Sequence, residues 1–169
     1  MAVEDKFVNA LTAAGKKCAA FFAGGANVKA IGWRFNTAAA DDDASVYRLG
    51  RIPTNAIPLY GRVFCNAITS GTDWDLGLYK PGVGGAVVDK DILADGLDIA
   101  SGEAITAGLD LLTNLGGSDP EAAFGKTLWE LLGLSAPTLQ AYDLAWTANT
   151  VGSAADTISG FLLYADSGV

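Results

Sequence analysis

The sequence from Ser45 to Ile68 reads SVYRLGRIPTNAIPLYGRVFCNAI and indicates the fold class of this chain. Apolar and polar residues alternate on both sides of a proline-containing turn, which is the period of a half-buried β-strand. Pro58 stands near the start of the second strand, where a missing N–H costs least. The faces of this second strand are predicted to carry Leu59, Val63 and Cys65 on one side and Tyr60, Arg62 and Phe64 on the other.

Further strand patterns occur at residues 28–36, 73–79, 140–150 and 157–166. These segments are short and rich in β-branched and aromatic residues, and turns separate them in a chain with 21 glycines. Short strands at close intervals are typical of an all-β antiparallel sandwich, either a jelly roll or an immunoglobulin-like sandwich. A helix inserted between the late strands favours the jelly roll.

That helix is predicted over about residues 119–132. Ser118 and Glu121 have the spacing of a capping box, and Pro120 falls in the first turn, where its missing N–H is harmless. The buried stripe is then expected at Leu128, Leu131 and Leu132, and Gly133 is a suitable stop.

Residues 1–26 are predicted to form an N-terminal arm that packs on something outside the main domain of residues 27–169. The arm is expected to be partly helical, because apolar residues recur at helical spacing before Gly24 and Gly25 interrupt the pattern. These residues are Val3, Phe7, Ala10, Leu11, Ala14 and Cys18.

The composition excludes several classes of function. A net charge of −8, with 19 acidic residues against 11 basic ones, disfavours direct nucleic-acid binding, which depends on phosphate neutralisation. Histidine is absent, so neither a Ser-His-Asp nor a Cys-His catalytic set can be built. No apolar run is long enough to span a membrane, and the first residues lack the pattern of a secretory signal. We therefore expect a soluble protein without enzymatic activity or cofactor.

The two cysteines are predicted to be small buried hydrophobic residues rather than a disulfide or a reactive thiol. Cys18 and Cys65 are far apart, neither belongs to a CxxC motif, and each lies beside apolar residues. This pattern is typical of folding in a reducing compartment.

Three groups of acidic residues could be considered as metal or catalytic sites, but the pattern of none of them predicts such a site. Asp41 to Asp43 could be considered for Ca²⁺, but consecutive side chains on an extended segment point apart, so a solvated turn is expected. Asp73 and Asp75 flank Trp74 and invite comparison with a paired-carboxylate glycosidase. Strand alternation instead directs these two side chains outward. Asp89 and Asp91 likewise share one face of a short strand or turn, and a loop closed by polar groups is expected there.

Arg48, Arg51 and Arg62 lie on or beside predicted strands in an otherwise acidic chain. Each could pair with the acidic turn of its own subunit, as a surface ion pair of small energetic value. The alternative is a contact with a neighbouring subunit.

Four tryptophans leave a second class of function open. Jelly rolls often bind sugars, and the indole rings could stack on them in a carbohydrate-binding or adhesion module of a virion fibre or spike. Their placement at alternate or helical positions favours core packing instead. The residues are Trp33, Trp74, Trp129 and Trp146.

The ordered pattern from about Ala38 to Gly102 resembles a family of small virion structural proteins of tailed bacteriophages. An acidic turn precedes S-x-Y-R-L-G-R-I-P-x-N-A, and the motifs A-I-T-x-G-T-D-x-D-L-G-L-Y and G-x-V-V-D-x-D-x-L-A-D-G-L-D follow. The predicted helix at 119–132 departs from the family pattern.

The resemblance implies a decoration, or cement, protein with a jelly-roll fold that is made in the host cytoplasm and binds the outside of the capsid. Its partners would be the major capsid protein and further copies of itself, as a dimer or trimer. We expect the capsid or intersubunit contacts to come from the apolar arm, the acidic turn and the arginines: Phe7, Leu11, Phe21, Phe22, Asp41, Asp42, Asp43, Arg48, Arg51 and Arg62.

Overall fold

The structure, a computed structural model, describes residues 5–7, 27–39, 41–102, 108–115, 120–153 and 155–166. Within these ranges no helix is long and apolar enough to cross a membrane. The strands are β1 (Asp5–Phe7), β2 (Asn27–Asn36), β3 (Ser45–Pro53), β4 (Ala56–Cys65), β5 (Asp73–Tyr79), β6 (Val87–Leu97), β7 (Leu109–Asp110), β8 (Ala141–Thr150) and β9 (Thr157–Asp166), and the helices are α1 (Pro120–Ala123) and α2 (Leu128–Leu131).

Strands β2 to β9 are divided between two sheets. One sheet has the order β2-β9-β4-β7, and the other has the order β3-β8-β5-β6 with β1 added beside β3. The pairs among β2 to β9 are antiparallel, whereas β1 pairs with β3 in parallel. This strand order is that of a jelly roll, in which two Greek keys interlock. The jelly-roll prediction is therefore confirmed.

Aromatic side chains fill the core between the two sheets. Trp146 lies edge-on to Trp33 and to Trp74, with ring centroids 6.3 Å and 6.5 Å apart. Tyr47 stacks on Trp74 at 5.6 Å and on Phe35 at 4.9 Å. Edge-to-face and offset-stacked contacts are the favoured arrangements of aromatic rings, and all five side chains are buried. The alternation seen in the sequence thus directs these residues into one core.

The single helix predicted over residues 119–132 is wrong. Two separate helical turns occupy the region, because Gly125 adopts φ +80°, a left-handed conformation that ends the first turn. The second turn begins at Thr127, whose amide and hydroxyl both donate to the Glu130 carboxylate, at 2.8 Å and 2.6 Å. The capping box predicted at Ser118 and Glu121 includes a residue outside the described ranges.

A β-bulge changes the predicted faces of β4. The register with β9 shifts between Pro58 and Tyr60, so Leu59 leaves the core face and is 38% exposed. Val63 and Cys65 remain buried, as predicted. An extra residue in one strand moves the side chains on one side of it to the opposite face.

The N-terminal segment contributes one strand to the main body. The backbone of β1 pairs with β3 so that Phe7 is opposite Arg48. The arm residues Leu11, Phe21 and Phe22, and also Cys18, lie outside the described residues. The Cys65 side chain is buried, as predicted.

Candidate functional site

Arg48 is the centre of a polar cluster on the outer side of the five-stranded sheet. Its side chain is completely buried and lies 3.4 Å from the Asp143 carboxylate, which is equally buried. The guanidinium also lies over the Tyr79 ring, 5.1 Å from the centroid. A buried Arg48 cannot itself form the predicted capsid or intersubunit contact, and this corrects the prediction for that residue.

Arg51 approaches the same carboxylate from solvent. Its Nε lies 3.4 Å from Asp143 Oδ1, while the side chain stays 61% exposed. Residues three apart in a regular strand point to opposite faces, but the register of β3 against β8 shifts between Arg48 and Gly50. The bulge therefore brings both arginines to one partner, which alternation alone did not indicate.

The buried pair holds the loop of residues 80–86, which connects β5 to β6. Arg48 donates hydrogen bonds to the carbonyls of Lys80 (3.2 Å) and Gly85 (2.9 Å). Asp143 Oδ2 accepts the backbone N–H of Gly82 at 2.8 Å. The ion pair thus fixes both arms and the tip of a glycine-rich loop, and this loop presents Val83 with 62% of its surface exposed.

A groove lies next to this hairpin at the end of the sandwich. It has a volume of about 400 Å³, and Lys80, the first residue of the 80–86 loop, and Val88, on β6, contribute to its wall. The other lining residues come from the connection between β7 and β8 and from the start of β8. We call this cavity the loop-end groove: Lys80, Val88, Leu132, Leu134, Thr138, Leu139 and Tyr142.

A second cavity of about 420 Å³ shares Thr138 and Leu139 with the loop-end groove. Each cavity has a buried hydroxyl in its wall, from Tyr142 in the first and Thr54 in the second, and neither has a hydrogen-bond partner among the described residues.

The acidic turn of residues 41–43 is held by hydrogen bonds within the chain and is less solvated than predicted. Asp41 is buried and accepts hydrogen bonds from the Tyr47 hydroxyl (2.6 Å) and the Ala38 amide (3.0 Å), so the prediction of a solvated carboxylate is corrected for this residue. Asp43 is exposed and accepts the Val151 amide at 3.0 Å, whereas Asp42 is half-buried. Among the described residues, no group of three acidic or cysteine side chains is placed to hold a metal ion.

Arg62 lies on the outer side of the other sheet. It donates to the Tyr60 hydroxyl at 2.7 Å and to the Gly108 carbonyl at 2.8 Å, so it ties β4 to the segment before β7. The structure therefore does not bring the three predicted arginines together, because two lie on one sheet and the third on the other.

The outer side of β5 and β6 carries acidic side chains, and neighbouring groups bury one of them, Asp75. Asp75 points outward as predicted but is buried, since Asn149 Nδ2 (2.6 Å), Lys90 Nζ (3.0 Å) and the Gly96 amide (3.0 Å) surround its carboxylate. Asp89 lies on β6 near Asp91. Burial raises the pKa of Asp89 to about 6, and a hydrogen bond with Asp91 acts in the same direction.

We expect Asp89→Asn to stabilise the protein at about pH 7.5 and to have no effect near pH 4. Because the folded-state pKa is raised, the stability that the protonated carboxyl provides is present at low pH and is lost as the pH rises towards 6. The group is only half-buried, so the gain is limited to about 1 kcal/mol. Denaturant unfolding at pH 4 and pH 7.5 measures the change in the free energy of unfolding, with Asp98→Asn at an exposed residue as the control. An equal gain in stability at the two pH values would contradict a raised pKa for Asp89.

The tryptophans do not form a sugar-binding surface. Trp33, Trp74 and Trp146 are at most 2% exposed and cannot stack on a sugar ring. Trp129 is half-buried, and its amide donates to the Thr54 carbonyl. Core packing is the role of the first three, as predicted.

Sequence reasoning missed Asp143 and the exposed valines. Asp143 is one polar position in the predicted strand of residues 140–150, and Val83 and Val87 lie outside the predicted strands. The signal that was available is Val83 inside a glycine-rich loop, an apolar residue where a polar one would be expected.

No family model and no curated protein sequence matches this chain. Two solved structures share its fold. A chain in the capsid of Ralstonia phage GP4 has a TM-score of 0.56 and 16% sequence identity, covering 88% of this chain and 89% of that one. A chain in the capsid asymmetric unit of cyanophage Pam1 has a TM-score of 0.52 and 16% identity, covering 90% of this chain and 94% of that one. The chain therefore shares a jelly-roll fold, over almost its whole length, with chains of two phage capsid structures.

Proposed function

We propose that this protein is a structural component of a bacteriophage virion that binds the outer surface of the capsid and stabilises contacts between major capsid proteins. The observation that carries the proposal is the fold shared with chains of two phage capsid structures over 88% to 94% of each chain. The absence of histidine from the sequence supports a binding role over the commonest forms of acid-base catalysis.

The loop-end groove and the hairpin beside it form the docking surface for the shell in this proposal. Val83 and Val87 expose 62% and 56% of their surface beside the groove, so a partner that covers them removes apolar area from water, which favours binding. A buried ion pair contributes little net stability but fixes geometry, and here it fixes the loop that presents Val83. A rigid loop loses little entropy when it binds.

Purified virions provide the first test. In a density gradient, we expect this protein to co-sediment with the capsids. We also expect it to be released under conditions that leave the shell intact. Recovery of the protein only from the soluble part of the lysate would contradict a virion role.

Val83→Asp is expected to weaken binding to undecorated capsids at least about tenfold, because a charge must then be desolvated at the contact. Co-sedimentation over a range of protein concentrations measures the apparent affinity. Ala39→Asp introduces the same charge on an exposed residue of the turn between β2 and β3, at the opposite end of the sandwich, and should leave binding unchanged. Equal effects of the two substitutions would exclude the loop end as the contact.

The remaining parts of the proposal concern the arm and the assembly. We propose that the arm of residues 1–26, which is joined to the main body where β1 pairs with β3, adds to the contact with the shell. The protein is made in the host cytoplasm and located on the capsid exterior in this proposal. Several weak contacts per copy then sum to strong attachment on a repeating lattice.

A further inference from the structure

The outer face of the four-stranded sheet is a second apolar surface, separate from the loop end. Side chains that alternate with the core residues of β2, β9 and β4 point to this face, and all are half-buried or exposed. We call this surface the outer apolar face: Val28, Ala30, Ile57, Tyr60, Phe64, Phe161, Leu163 and Ala165.

The strand register makes this face continuous. Ala165 lies between Val28 and Ile57, and Leu163 lies between Ala30 and Tyr60. Phe161 completes the surface on β9, with the Tyr60 ring centroid at 5.9 Å and that of Phe64 at 6.4 Å. The solvated face of an antiparallel sheet is normally polar, so an apolar face three strands wide indicates an interaction surface.

The face is also nearly neutral in a chain with a net charge of −8. In the described strands, the charged residues that alternate onto it are Arg34, Arg62 and Asp110, and the last two are direct cross-strand partners. The outer side of the other sheet instead carries Asp75, Asp89 and several further carboxylates. Two copies can therefore approach through the outer apolar face without bringing their acidic sides together.

We infer that the outer apolar face binds the same face of a second copy of this chain around a two-fold axis. Three strands spaced about 4.8 Å apart, with about eight residues each rising about 3.3 Å, give roughly 400 Å² per copy. A standard interface buries about 800 Å² per partner, so this contact is a weak and reversible dimer. Two sheets stacked face to face pack at about 30°. A contact between the same face of two copies uses that face on both, so the assembly is complete as a dimer.

Analytical ultracentrifugation of the full chain tests this inference without any capsid, so its outcome is independent of the proposed virion role. From about 10 µM to about 1 mM protein, we expect the weight-average mass to rise from 17.3 kDa towards twice that value. Leu163→Asp, in the middle of the face, should weaken association at least about tenfold because the two-fold axis brings two such charges together. Val83→Asp, in the loop of residues 80–86, should leave association unchanged.

Circular dichroism confirms that each variant is folded, and Tyr60→Asp, at a side chain that is already 41% exposed, replaces Leu163→Asp if that variant is not. A protein that stays monomeric at the highest concentration, or that sediments as a trimer, overturns the inference. The inference is also overturned if a folded variant of the outer apolar face associates as tightly as the parent protein. Loss of capsid binding by Val83→Asp together with unchanged self-association would show that the two surfaces act separately.

Discussion

Replacing Arg48 with methionine is expected to destabilise the protein by about 3–5 kcal/mol, the cost of leaving one partner of a buried ion pair uncompensated. The substitution leaves the Asp143 carboxylate buried and removes the donors to the carbonyls of Lys80 and Gly85. Urea unfolding, monitored by tryptophan fluorescence, measures the change in the free energy of unfolding. Hydrogen exchange at Gly82 should accelerate in the same variant, because its partner Asp143 is no longer held in place.

Arg51→Met is the matched control, since Arg51 contacts the same carboxylate at the same distance of 3.4 Å but is 61% exposed. An exposed ion pair contributes less than about 1 kcal/mol. Similar losses from the two substitutions would contradict the special role of the buried pair. The double replacement Arg48→Met with Asp143→Leu should recover much of the stability, because it leaves no unpaired buried charge, while capsid binding stays weak without the fixed loop.

Gly77→Ala is expected to cost about 3 kcal/mol or more, since a well-packed site cannot accept an added methyl group without moving backbone. A Cβ at this position would lie 2.2 Å from the Asp89 carbonyl oxygen and 2.2 Å from the Lys90 carbonyl carbon, where the register between β5 and β6 is irregular. Thermal unfolding with circular dichroism measures the loss.

Gly50→Ala in β3 is the control, because its Cβ would meet only the Ile31 side chain at an ordinary 3.6 Å. We expect its effect to be within about 0.5 kcal/mol. If Gly77→Ala folded with the stability of the parent, the close approach of the Asp89 and Lys90 backbone to Gly77 would be excluded.

The strands were predictable because their side chains alternate between a buried and an exposed face. The predicted strand at residues 157–166 coincides with β9, and the one at 140–150 differs from β8 by one residue. Periodicity of this kind reports directly on the side of the sheet that is buried. The jelly roll followed from the number and spacing of such segments.

The features that were not predictable depend on contacts between distant parts of the chain. Arg48 and Arg51 share Asp143 only because of a bulge in β3, and Leu59 is exposed because of a bulge in β4. Asp75 is buried because Lys90 and Asn149, from neighbouring strands, surround it. A bulge and a cross-strand partner leave no periodic signal in a single sequence.

The candidate site was predicted only in part. The sequence singled out Arg48 and Arg51 as unusual charges, and both lie in the cluster that fixes the 80–86 loop. Arg48 is buried and positions the loop through its hydrogen bonds to the Lys80 and Gly85 carbonyls. Arg51 is 61% exposed, and its contact with a capsid protein or a neighbouring subunit stays a prediction. Val83 and Val87 are the exposed apolar residues of this region. Their exposure depends on how the loop packs against Arg48, so it could not be predicted from the sequence.

A density map of the intact virion at side-chain resolution tests whether this protein binds the outside of the capsid. We expect a jelly-roll density for this chain on the outer surface of the shell, with the 80–86 loop and the loop-end groove turned towards the major capsid proteins. A map that places the chain within the continuous shell itself, or in the tail, or that lacks it altogether, would contradict the proposed function.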